Sequence, residues 1–355
     1  MPTRLPALRA AIKKAGHENF LITNPLDVAY LTGFHGGDSY ILMMGKSAVL
    51  ISDFRYQEEL EHLNGELTIV IRKGAMAKEV ANVVGQLKEC AVQAEAMTLA
   101  EYTALDKALK TKLIQTTGIV AAMRSIKDAD EVKLIKKAVK IQEQALLAVL
   151  PSLKPGMTEL AIAAMIEAEM KTRGSSAPGF QTIVAAQPNG SFPHYRPGSK
   201  KTAANKTLLI DWGAIFQGYH SDMTRVYAFN SWPRKIAEIY AIALEAKELA
   251  ADALRPGATS LEIDTIARSY ITRHGYGEYF GHGLGHGIGF NGHEDPRMTH
   301  MASPTVLMPG HVITIEPGIY LPGVGGVRIE DDYVITQRGA TNLCSLPQSM
   351  EECTL

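Results

Sequence analysis

The sequence predicts two domains, an α/β domain followed by an α+β domain built from a duplicated unit. Three observations carry that expectation. Up to about residue 122, apolar strands alternate with amphipathic helices. Residues 153–174 recur without gaps at 254–275, an offset of 254 − 153 = 101. Each copy then leads into an apolar strand, a turn and a second strand.

In the first domain NFLITN, SYILMM, SAVLISD, LTIVIR and AVQAEA read as strands. RYQEELEHL, AKEVANVVGQLKE and TLAEYTALDKALK read as helices, and Thr98 with Glu101 forms a capping box for the last. The start, MPTRLPALRAAIKKAG, has an amphipathic beat in Leu5, Leu8 and Ile12 but lacks the apolar core of a signal peptide. A charged junction, RSIKDADEVKLIKKAVKIQEQALLAVL, runs into a long helix. It places the boundary near residues 122–128, giving domains 1–122 and 123–355.

In the repeat, LKPGMTELAIAAMIEAEMKTRG aligns on LRPGATSLEIDTIARSYITRHG, with Pro155/Pro256, Gly156/Gly257, Thr158/Thr259 and Gly174/Gly275 among the identities. The same offset matches Ile135/Ile236, Ile141/Ile242 and Ala145/Ala246 in the preceding helices. Two similar halves would meet at a pseudo-twofold axis, where a shared site could sit.

Bulk properties exclude several classes. The chain is 46% hydrophobic and 21% charged, and 36 Lys+Arg against 37 Asp+Glu give a net charge of -1, which speaks against nucleic-acid and membrane-surface binding. No segment approaches the roughly 18 apolar residues of a membrane span. Three scattered cysteines show neither a metal-type spacing nor a disulfide framework, so a reducing cytoplasm fits best.

The chemistry lies after the repeats. TLLIDWGAIFQGYHSDMTRVYAF carries Asp211 and Asp222 on opposite arms of its hairpin, and VITIEPGIYLPGVGGVRIEDDYVI carries Glu316 and Glu330 in the same way. Four acids beside apolar strands repel one another, and Arg225 and Arg328 cannot neutralise them all. Divalent cations can, and four carboxylates with an imidazole suit a two-metal hydrolytic site. The imidazole comes from GHGLGHGIGFNGHEDP, which packs three histidines among six glycines so that the backbone can approach closely. A helical HExxH zinc site is excluded there, because Arg297 stands where the second histidine belongs.

FPHY, IDWGAIFQGYHSDMTR, GHGLGHGIGFNGHEDP, TIEPGIY and GVRIED resemble, in order, the motifs of the pita-bread metallopeptidases, over roughly residues 125–340. That group includes methionine aminopeptidase, aminopeptidase P and prolidase. YLTGF and DFRY are similar to the creatinase-type N-terminal domain of prolidases. The resemblance implies a creatinase-like α/β domain followed by an α+β pita-bread catalytic domain. It implies Asp211, Asp222, His286, Glu316 and Glu330 as ligands of two divalent ions, with Asp222 and Glu330 bridging. Mn²⁺ or Co²⁺ suits the hard donor set first, and Zn²⁺ or Fe²⁺ could bind.

Carried over in the same way, His194 and His293 face the substrate, Glu316 also moves protons, and Arg328 orients a ligand carboxylate. Arg297 resembles an arginine that holds a dipeptide's free carboxylate. YLTGFHGG implies a homodimer in which His35 edges the partner's pocket. His282 is left outside the ligand set. Gln187 stands where a glycine is expected, which would reshape the pocket wall, and TRV at 224–226 replaces a more usual TRT.

The expected function is metal-dependent hydrolysis of the bond preceding proline in short peptides, foremost Xaa-Pro dipeptides. Aminopeptidase P acting on longer peptides is the alternative within the class. A metal-free creatinase-like hydrolase and an inactive binding module are the alternatives outside it, and both would be expected to have lost metal ligands.

Overall fold

The computed structural model describes residues 4–63 and 65–355, and the chain divides into two compact units between Arg124 and Ser125. In the first unit, strands β1 (Asn19–Ile22), β2 (Tyr40–Met44), β3 (Ser47–Ser52), β4 (Thr68–Ile71), β5 (Glu89–Gln93) and β6 (Lys112–Thr116) form a six-stranded mixed sheet in the order β4-β3-β2-β1-β5-β6. Leu21, Leu42, Val49, Ile51 and Val92 supply its core. The helices are α1 (Leu5–Lys14), α2 (Pro25–Thr32), α3 (Met76–Val84), α4 (Leu99–Ala108) and α5 (Ile119–Ser125).

The first unit departs from the sequence expectation at three places. The helix expected over RYQEELEHL is two short 3-10 turns, Phe54–Tyr56 and Glu59–Leu63, because only Leu60 and Leu63 of that stretch are buried and no apolar stripe exists to hold a longer helix. The helix after Met76 ends at Val84, where Gly85 takes φ 59°, rather than continuing through QLKE. Strand β6 lies at the sheet edge with Leu113 as its only buried residue, so it leaves almost no apolar signal in the sequence.

The second unit opens with α6 (Ala129–Val149), capped by Asp128 and Glu131 in a reciprocal box. Then follow α7 (Glu159–Thr172), β7 (Ile183–Ala186), β8 (Thr207–Trp212), the small ribbon β9 (Ile215–Phe216) and β10 (Tyr219–His220), and β11 (Met223–Ala228). The second half repeats the plan with α8 (Arg234–Asp252), α9 (Ser260–Arg273), β12 (Gly285–Gly287), β13 (Glu294–Met298), β14 (Val312–Ile315), the ribbon β15 (Gly318–Leu321) and β16 (Gly325–Arg328), β17 (Asp331–Ile335) and β18 (Ala340–Asn342). The sheets run β11-β8-β7 and β13-β12-β14-β17-β18.

The duplication is visible at residue level. Helices α7 and α9 are each 14 residues long and start at 159 and 260, an offset of 260 − 159 = 101. Thr158 and Thr259 cap them, each accepting the amide of its N3 residue at 3.2 Å. Ile135, Ile141 and Ala145 on α6 and Ile236, Ile242 and Ala246 on α8 are all buried, so the two copies turn the same face inward. Burying each isoleucine contributes roughly 1.5–3 kcal/mol. Each copy ends in a strand, a ribbon and a returning strand, and that plan sets the acids.

Candidate metal centre

Asp211 lies near the end of β8 and Asp222 immediately before β11, and the register Asp211↔Thr224 brings the two arms together. Glu316 follows β14 and Glu330 precedes β17, and the register Ile315↔Asp331 does the same in the second copy. Strand β12 delivers His286 beside β14, where the His286 amide donates to Thr314 Oγ1 at 3.1 Å. That approach explains two of the glycines. A Cβ on Gly285 would lie 2.1 Å from the Thr314 carbonyl oxygen, and one on Gly287 would lie 2.2 Å from that of Asp295.

One ligand atom each of Asp222, His286 and Glu330 lies within 4.8 Å of the others. His286 Nδ1 is 3.0 Å from the Gly287 carbonyl oxygen, which can only accept, so the ring proton sits on Nδ1. Burial, with His293 adding to it, holds His286 neutral by lowering its pKa to about 3. The Nε2 lone pair therefore points among carboxylates, 3.7 Å from Asp222 Oδ2 and 3.5 Å from Glu316 Oε1. One nitrogen lone pair and two carboxyl groups converging at these distances form a donor set that a divalent cation fits.

The acids point the same way. Asp211 Oδ1 and Asp222 Oδ1 are buried without a hydrogen-bond partner among the described residues. Burial, then repulsion from Glu330 and Asp211, raises Asp222 well above the ordinary carboxylate range. Burial, then Glu316 and Asp211, does the same to Glu330. Burial lifts Glu316 to about 8 against the pull of Arg328. Buried acids with bare oxygens around a neutral imidazole fit a group of divalent cations.

Polar neighbours fix the carboxylates. Arg328 donates to Asp211, and its Nε donates to Thr224 Oγ1 at 3.0 Å. Thr224 Oγ1 in turn donates to Glu330 Oε2 at 2.6 Å. Arg328 Nη1 also donates at 2.8 Å to Tyr320 Oη, which lies 2.9 Å from His282 Nε2. Thr314 donates to Glu316 Oε1 at 3.2 Å. Sequence reasoning missed Thr224, Thr314 and Tyr320 as bracing groups, and placed His282 no nearer than the vicinity of the site.

These residues line a cavity of about 470 Å³ that also includes His194, His293 and Arg297. The HEDPR segment forms β13, not a helix. Its Glu294 takes a 2.9 Å hydrogen bond from the buried Lys127, bracing the loop that presents His293. His35 is an exposed residue of the first unit and does not line this cavity. Gln187 does not form the pocket wall as expected. Its side chain instead donates to the Val324 carbonyl at 2.9 Å and accepts the Thr207 amide at 3.2 Å.

Residues 133–337 match the pattern of metallopeptidase family M24, and residues 4–126 match that of the creatinase/prolidase N-terminal domain. The chain belongs to metallopeptidase family M24. Its two units are thus an N-terminal creatinase-type domain and an M24 domain of pita-bread fold. Among M24 relatives, it is 38% identical to an Xaa-Pro dipeptidase of Pyrococcus horikoshii over 91% of each chain. An Xaa-Pro dipeptidase from Bacillus anthracis has a similar structure, with TM-score 0.95, 36% identity and 99% of both chains covered. An X-Pro aminopeptidase from Thermotoga maritima superimposes with TM-score 0.88 and 34% identity, covering 96% of this chain and 99% of that one.

Proposed function

We propose that this chain is a dinuclear metallopeptidase that hydrolyses the bond preceding proline, with Xaa-Pro dipeptides as its substrates. The observation that carries the proposal is the His286 Nε2 lone pair aimed at Asp222 and Glu316. The likeness to Xaa-Pro dipeptidases over nearly the whole chain supports the substrate class.

Asp211, Asp222, His286, Glu316 and Glu330 would hold the cations, and oxygen donors with one nitrogen favour Mn²⁺ or Co²⁺ over Zn²⁺ or Fe²⁺. When bound, the pair supplies Lewis acidity that activates water and polarises the scissile carbonyl. Glu316 takes the proton from the attacking water. It then delivers that proton to the departing proline nitrogen, which has no N–H of its own in the peptide. Thr314 holds its carboxylate for the exchange, and the Arg328 charge lies 4.0 Å from the other oxygen. His293, kept neutral mainly by burial and next by Arg297, donates a hydrogen bond to the scissile carbonyl, with His194 beside it. Arg297 has no ion-pair partner among the described residues, and it receives the dipeptide's C-terminal carboxylate.

The likeness to an X-Pro aminopeptidase favours a second reading in which longer chains are trimmed. Chelated protein, reloaded with Mn²⁺ or Co²⁺ and assayed on an Xaa-Pro dipeptide and an Xaa-Pro-Xaa tripeptide, separates the two. Full activity without metal would reject both. The proposal extends to a homodimer in which His35 edges the partner's cavity, supported by the YLTGFHGG resemblance and checked by sedimentation together with His35→Ala activity. It also extends to a cytoplasmic location, supported by free Cys90, Cys344 and Cys353. No helix among the described residues is long and apolar enough to cross a membrane.

A further inference from the structure

Among the buried positions at which the two copies differ, one carries a cation in the second copy alone. Leu146 on α6 is fully buried, and the residue 101 positions later on α8, Lys247, is 2% exposed. A lysine in a place that packing fills with leucine carries a desolvation cost that needs a counter-charge. Asp331, itself 0% exposed, provides it. Its Oδ2 accepts Lys247 Nζ at 2.5 Å, Gln348 Nε2 at 2.7 Å and Asn342 Nδ2 at 2.9 Å.

The other oxygen of Asp331 faces the metal ligands' backbone. Asp331 Oδ1 accepts Arg225 Nη2 at 2.7 Å, and the same guanidinium nitrogen reaches the Leu346 carbonyl at 3.1 Å. Arg225 Nη1 donates at 3.0 Å to the Thr224 carbonyl and at 2.7 Å to the Glu330 carbonyl. One nitrogen thus grips the backbone beside both partners of the Thr224–Glu330 hydrogen bond. The Glu330 amide adds a bond to the Thr224 carbonyl at 3.2 Å, and Asp332 Oδ2 accepts the Asp222 amide at 3.1 Å. The returning strands of the two copies are laced together where Asp222 and Glu330 leave them.

Resting on the metallopeptidase reading, we infer that Lys247, acting through Asp331 and Arg225, is a positioning residue that fixes Glu330 against Asp222 and so sets how tightly the cations are held. Lys247 touches none of the five proposed ligands. Its effect passes along Lys247–Asp331–Arg225 to the carbonyl of Glu330, and each link is buried. Without the lysine, Asp331 keeps Arg225, Asn342 and Gln348, so the fold retains a compensated carboxylate. What is lost is the second cation that holds the Asp331 carboxylate, and with it the fixed aim of Arg225.

The test uses the full-length protein stripped of metal, with Mn²⁺ titrated calorimetrically into wild type, Lys247→Leu and Arg225→Lys. Lys247→Leu installs the residue that the first copy carries. Arg225→Lys keeps the charge but cannot reach all four acceptors. Both variants are expected to weaken Mn²⁺ binding at least tenfold, within the 10–100-fold typical of groups that orient ligands. The apoprotein melting curve of Lys247→Leu should stay cooperative. Mn²⁺ affinities within twofold of wild type in folded variants would overturn the inference, as would a lowered apoprotein melting temperature with unchanged affinity. Wild-type protein that binds no Mn²⁺ or Co²⁺ would instead overturn the metallopeptidase reading itself.

Discussion

The rings of His286 and His293 stack, with centroids 3.8 Å apart and planes inclined by 27°. The stack seats His293 over the imidazole proposed to bind metal, so His293 can face the substrate without reaching the carboxylates. His293→Ala is expected to lower kcat by roughly 10²-fold or more, the scale for losing one donor to a developing oxyanion. Metal content should remain at the wild-type value. Steady-state kinetics with metal analysis checks both, and an unchanged kcat would remove His293 from the substrate's surroundings.

Glu316→Gln is expected to cut turnover by at least about 10²-fold while leaving the apoprotein as stable as wild type. With its pKa raised to about 8, the Glu316 carboxyl is already mostly protonated at pH 7 without metal, so an amide of the same shape replaces it cheaply. Thermal melts of the metal-free variant and single-turnover rates of the reloaded one separate the two effects. Near-normal turnover would exclude proton transfer by this residue.

Stability of the metal-free protein should fall as pH rises from 7 to 8. Glu316 is raised from 4.5 to about 8, and Asp222 and Glu330 are raised as well, so the folded state binds more protons than the unfolded one. Stability from such groups is complete below the unfolded value and disappears as pH climbs through the folded one. His282 and His286, lowered to about 4 and about 3, act in the opposite sense but below pH 6.5. Melting curves with and without Mn²⁺ across pH 7 to 8 should show the metal's stabilisation growing with pH. A rise in apoprotein stability over that interval would contradict the proton count.

Arg297→Ala is expected to weaken kcat/KM on an Xaa-Pro dipeptide by roughly 1.5–3 kcal/mol, the range for hydrogen bonds to charged groups. Cleavage of an Xaa-Pro-Xaa tripeptide, which offers a neutral amide at that point, should change far less or improve. Equal losses on the two substrates would move the assignment to the aminopeptidase reading.

What was legible in the sequence is what repeats or sits on a strand end. Thr158 and Thr259 announced two helices at one offset, and Asp211, Asp222, Glu316 and Glu330 stood out because acids are costly beside apolar runs. Helix α2 was silent because Asp27 through Thr32 are all buried, so its pattern has no polar face to mark a period. The bracing groups were silent for another reason. Thr224 meets Glu330 across 106 residues and Tyr320 meets His282 across 38, and nothing local distinguishes a hydroxyl with such a partner from one facing water. Lys247 was equally hidden, since a lysine on an amphipathic helix normally reads as solvated surface.

The fused duplication has a consequence for assembly. Asp211 and Asp222 belong to one copy, and His286, Glu316 and Glu330 to the other, so the proposed set of ligands needs both. On separate chains that encounter would depend on protein concentration. On one chain it proceeds at an effective concentration of order millimolar, however dilute the protein. Covalent linkage also releases the copies from identity, which is why Leu146 and Lys247 can occupy equivalent places, apolar in one half and charged in the other.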